Sequence, residues 1–95
     1  MFVKELGKEI TLSEYVKIRL ANKGFEWNGW NDLKTMEPAK RMPFMRLTNL
    51  DFINPEDFSL EDWNEALKAL FPLMTKSLTK KDAHKILISY LESNK

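Results

Sequence analysis

The chain has 95 residues, 43% of them hydrophobic and 12% aromatic, with a net charge of +1. That is enough for one domain, residues 1–95, with a single modest core, and it excludes an intrinsically disordered composition. Cys is absent, which excludes a disulfide framework, a thiolate metal site and a Cys nucleophile.

The near-neutral balance gives no overall pull toward nucleic acid or a membrane surface. Met1-Phe2-Val3-Lys4-Glu5 meets charge at once and no run approaches the ~18 apolar residues of a membrane span, so the expectation is a soluble, cytoplasmic protein.

In chain order, residues 2–10 read as a short edge strand with a turn at Gly7-Lys8. Thr11 or Ser13 caps a first helix, with Glu14 three residues after Thr11 as in a capping box. Leu12, Tyr15, Val16, Arg19 and Leu20 share one stripe, Ile18 widens it, and Gly24 closes the helix as its C′ residue.

Asn28-Gly29 signals a turn, joining either two very short strands or a loop to a helix capped by Asn31 or Asp32. Pro43 does not suit a helix interior, so a helix near 32–42 is expected to break there. Residues 44–58 then read as mostly irregular, with Phe44 to Phe52 as a strand and Asn54-Pro55 as a turn.

Ser59 and Thr79 each stand three residues before a carboxylate, Asp62 and Asp82. They start the two clearest helices of the chain. The first carries Trp63, Leu67, Leu70, Phe71 and Met74 on one face and ends or kinks near Leu70 because of Pro72. The second carries Ala83, Ile86, Leu87, Tyr90 and Leu91.

The predicted fold is therefore mainly α, a small single domain of three to four helices with a C-terminal helical pair and a minor β element. Residues 25–58 are expected to drape over that pair as an irregular, aromatic-rich segment.

Catalytic patterns are missing. His84 is the only histidine, its neighbours are basic, and no nucleophile elbow exists. One His and no Cys cannot hold zinc. Residues 51–62 have acids at both ends but fail as a calcium loop, with Ile53, Pro55 and Glu56 where ligands and Gly are required. Gly occurs only at 7, 24 and 29, too sparsely for a phosphate loop. The expectation is no enzyme, no metal and no cofactor.

Charge is segregated. Residues 17–46 hold seven Lys/Arg against three acids, and residues 51–67 hold six acids and no base. Acids early and bases late in a helix also suit its macrodipole over 59–76.

Arg41, Met42, Phe44, Met45 and Arg46, with Trp27 and Trp30, have the composition of an interface hot spot. These seven are the candidate partner-binding residues of a non-catalytic protein-binding module: an adaptor, inhibitor or assembly factor. The alternative is a nucleic-acid-binding or regulatory protein using the Lys34–Arg46 segment or a Lys80/Lys81/His84/Lys85/Ser89 face. A third reading uses the acidic 51–65 segment to imitate nucleic-acid charge. Another protein is the expected partner, with nucleic acid and a homodimer kept as alternatives and membrane excluded.

Overall fold

The computed structural model describes residues 2–4, 7–73 and 79–93. Met74 and Lys76, assigned from sequence to the first C-terminal helix, lie outside them.

A two-residue antiparallel pairing of β1 (Phe2–Val3) with β2 (Lys8–Glu9) forms the minor β element. Gly7, at φ +65°, stands just before β2. Five α-helices follow among the described residues: α1 (Leu12–Ala21), α2 (Asn31–Thr35), α3 (Pro38–Thr48), α4 (Leu60–Leu70) and α5 (Lys80–Glu92). The domain is mainly helical, as its sequence predicts, and the helices exceed the expected number because of residues 30–49.

α1 begins with a complete capping box. Thr11 Oγ1 accepts from the Glu14 N–H, and the Glu14 carboxylate accepts from the Thr11 N–H, both at 3.1 Å. The Thr11 backbone N–H, and next its hydroxyl, hold the Glu14 carboxyl below its ordinary value. Leu12, Val16 and Leu20 recur every four residues and are buried, so one stripe of α1 enters the core. Ile18, expected to widen that stripe, is 40% exposed; it lies two residues from Val16 and from Leu20, and such neighbours do not share a helix face.

The Ser59 cap of α4 works only in one direction. Ser59 Oγ accepts from the Asp62 N–H, while the Asp62 carboxylate accepts from the Leu12 N–H at 3.1 Å. One of the four unpaired N–H groups at the start of α1 is thereby satisfied by the first turn of α4, which ties two helix N-termini together. The Thr79 hydroxyl caps α5 in the same way, accepting from the Asp82 N–H. α4 stops at Leu70, two residues before Pro72, as expected.

Residues 30–52 depart from the expected pattern. No helix breaks at Pro43. α2 ends at Thr35, Glu37 is extended at ψ 139°, and α3 starts afresh with Pro38 at its first position. A residue before proline is pushed out of the helical region, so the break falls at Glu37. Pro38 suits a first helical turn.

α3 then runs through Pro43 to Thr48. Pro43 lacks the N–H that would reach the Ala39 carbonyl, but both residues are exposed, so that carbonyl is open to water. Burial of Phe44, Met45 and Thr48 offsets the lost bond.

The expected strand Phe44–Phe52 is absent. Asn49, in the left-handed region at φ 59°, ends α3, and a 3-10 turn follows at Leu50–Phe52. α2 is entered through Trp30 at its N-cap with no side-chain cap, rather than through Asn31 or Asp32. Asp32 instead accepts from the Asn28 N–H.

α4 and α5 pack together; α5 also packs on α3, α4 on α1 and α2, and α1 on α3. Leu12, Leu33, Leu50, Trp63, Leu67, Leu87 and Leu91 are fully buried between them. Trp63 organises this centre. Its indole N–H donates to the Pro55 carbonyl at 2.9 Å, and its ring meets Phe58 and His84 edge-on.

Candidate binding groove

An apolar groove lies between the end of α1 and the outer side of α3, with a cavity volume of about 400 Å³. The chain termination of α1 builds its first wall. The Phe25 N–H donates to the Leu20 carbonyl and the Gly24 N–H to the Ala21 carbonyl, with Gly24 at φ +82°. This is a Schellman ending with Gly24 at C′, which brings the residue at C″ against the residue at C3. Those residues are Phe25 and Leu20, and both line the groove. The Gly24 expectation from sequence holds.

The chain then turns inward. Phe25 is 55% exposed while Trp27 is 5% exposed. Trp27 meets Trp30 edge-on at 5.0 Å and lies 6.0 Å from Phe44. The opposite wall comes from α3, where Lys40, Pro43, Phe44 and Leu47 follow helical spacing, and Met36 joins them. Glu26 and Lys40 are the charged groups of the rim, and both are exposed. They do not pair with each other: among the described residues the one ion pair is Lys80–Glu56 at 3.7 Å.

The seven residues proposed from sequence as one contact face do not form one. Trp27 and Phe44 line the groove, Trp30 is buried against Trp27, and Met45 is 3% exposed in the core. Met42 is half-buried and packs on the core, while Arg46 is exposed. The reason is the unbroken α3. A helix divides neighbouring residues between faces, and Arg41, Phe44, Met45 and Thr48 take the inner one.

Arg41 has a structural task. Its guanidinium lies 4.4 Å from the Tyr90 ring centroid, and its Nη1 donates to the Ser93 carbonyl at 3.2 Å. A cation there meets a π-face and the negative end of the α5 macrodipole.

The sequence alone did not single out Leu20, Phe25, Glu26, Pro43 and Leu47 as contact residues. The signals were present in Gly24-Phe25, a C′ glycine followed by an apolar C″, and in the 40/43/44/47 spacing, which the expected break at Pro43 concealed.

His84 is half-buried and its Nε2 lies 2.9 Å from the Leu50 carbonyl, so it ties α5 to the 3-10 turn. Lys80 is paired with Glu56, leaving Lys81 and Lys85 exposed on α5, beside a shallow trough lined also by Ile88 and Glu92. Of the acidic segment, Glu56, Asp57, Glu61 and Glu65 are exposed, Glu56 in its pair with Lys80.

Among the described residues no three His, Cys, Asp or Glu side chains come together as a metal site, and no helix is long and apolar enough to cross a membrane. No protein-family model, no curated protein and no solved structure matches this chain.

Proposed function

We propose that the protein is a non-catalytic binding module that receives an apolar segment of another protein in the groove between α1 and α3. The observation that carries the reading is the exposure of Phe25 beside a 400 Å³ apolar groove. An aromatic side chain left in water next to a concave apolar surface, flanked by charged groups, is the usual layout of an interface core and its rim. Binding there needs no reacting group, and none is gathered around it.

The nucleic-acid alternative would use aromatic rings as stacking platforms. Trp27, Trp30 and Phe44, the rings that this alternative would use as its platforms, are each only 4–5% exposed.

The test is site-specific photocrosslinking in native cells, with benzoylphenylalanine at position 25 and, as control, at the exposed Lys17 on α1. The expected result is a covalent adduct with a distinct protein from position 25 only, suppressed by Leu47→Glu. Identical adducts from both positions, or adducts indifferent to Leu47→Glu, would count against the groove.

A further inference from the structure

We propose that in the free protein the groove is filled by a second copy of the chain, in a two-fold dimer in which Phe25 of each copy enters the groove of the other and Glu26 of each meets Lys40 of the other. The inference rests on reading the groove as the docking surface, and it names this chain as its own first partner.

A two-fold interface apposes residue i with j and j with i, so a surface can close on itself only if it is self-complementary. This one is, in shape and in charge. The protruding ring of Phe25, 55% exposed, stands at the edge of the hole it would fill. The groove, of about 400 Å³, has room for an aromatic ring.

The rim carries one acid and one base, both exposed and, among the described residues, neither in an ion pair. A rim of one sign would repel its own copy. This rim attracts its copy twice, once through each Glu26–Lys40 pair. A polyanion such as nucleic acid would be drawn to Lys40 and repelled by Glu26.

Sedimentation velocity on the full chain tests the proposal, from about 1 μM to about 1 mM, the range in which weak dimers populate. The protein is expected to move from monomer to dimer within that range. Glu26→Lys alone and Lys40→Glu alone each turn two attractive pairs into two repulsive ones. Each variant is expected to weaken the dimer roughly tenfold, in keeping with the modest strength of exposed ion pairs.

An equimolar mixture of the two variants recovers both pairings and is expected to associate as the parent does. The double variant E26K/K40E is expected to recover as well. Phe25→Ser changes a half-exposed side chain and is expected to weaken the dimer further than either charge variant, with the helical circular dichroism unchanged.

A monomer at every concentration overturns the proposal. So does a dimer indifferent to positions 25, 26 and 40. Failure here is separable from failure of the binding-module reading. A strictly monomeric protein that still crosslinks another protein from position 25 loses only the self-pairing, whereas a dimer whose position 25 crosslinks only to its own copy loses the other partner.

Discussion

Replacing Gly24 with Ala tests whether the left-handed ending of α1 shapes the groove. Gly24 sits at φ +82°, and a Cβ built on it meets no atom within 4 Å. The cost is therefore conformational rather than steric. A left-handed backbone costs an L-residue about 1–2 kcal/mol. Against this, Ala restricts the unfolded chain and returns ~0.4–1 kcal/mol. The net expectation is a loss of about 1 kcal/mol, or a fall in Tm of about 4–8 °C for a domain of this size.

Gly24→Asn should lie between the two, because Asn tolerates the left-handed region. Urea unfolding followed by the fluorescence of Trp27, Trp30 and Trp63 measures the change, and the slope with urea should stay constant. D-alanine at position 24, introduced by ligation, has the mirror preference and should match or exceed Gly. A Gly24→Ala protein as stable as the parent would refute the argument, and so would a D-alanine protein as weak as the L-form.

Two further outcomes follow from the capping box and from Pro43. Pro43→Ala restores an N–H for the exposed Ala39 carbonyl and removes a ring that clashes one turn back; it should raise stability by about 1 kcal/mol or more in urea unfolding. The Glu14 carboxyl, held below its ordinary value of 4.5 by the Thr11 N–H and hydroxyl, should titrate low by carboxyl-detected NMR, and Thr11→Ala should move it partway back up. Because the folded value is the depressed one, the stabilisation that this bond contributes is present above the unfolded value and is lost as pH falls through the folded one; in Thr11→Ala that acid-side loss should shrink.

The starts of α1, α4 and α5 and the end of α1 were the legible part of the fold. Thr11, Ser59 and Thr79 act through hydroxyl contacts three residues away, and Gly24 through its own backbone freedom, so a short window of sequence contains the whole cause. The use made of Asp62 was not legible, because its acceptor role runs to Leu12, 50 residues away.

Pro43 misled for a related reason. Its local penalty is real, but α3 is held by Phe44, Met45 and Thr48 against the core, and tertiary burial outweighs one missing backbone bond. That single error hid the helical spacing of Lys40, Pro43, Phe44 and Leu47, and with it the wall of the groove. The composition of residues 27–46 singled out Trp27 and Phe44, and both line the groove. It could not say which side of each residue faces outward, because that follows from the helix the sequence appeared to forbid.

The groove stays open because each of its walls is fixed by contacts elsewhere. α1 is held by Leu12, Val16 and Leu20 in the core and by the bond from the Leu12 N–H to Asp62 at its far end. α3 is held by Phe44 and Met45, and by the Arg41 bond to Ser93 at the end of α5. Bringing the end of α1 down onto α3 to cover Phe25 would pull against these anchors, two of which are part-buried hydrogen bonds. Covering the ring from outside costs no such bond. A preformed groove also spares an occupant the ordering cost that a flexible surface imposes on association. The same anchors that fix the core thus leave Phe25, Leu47 and Pro43 presented on a rigid frame.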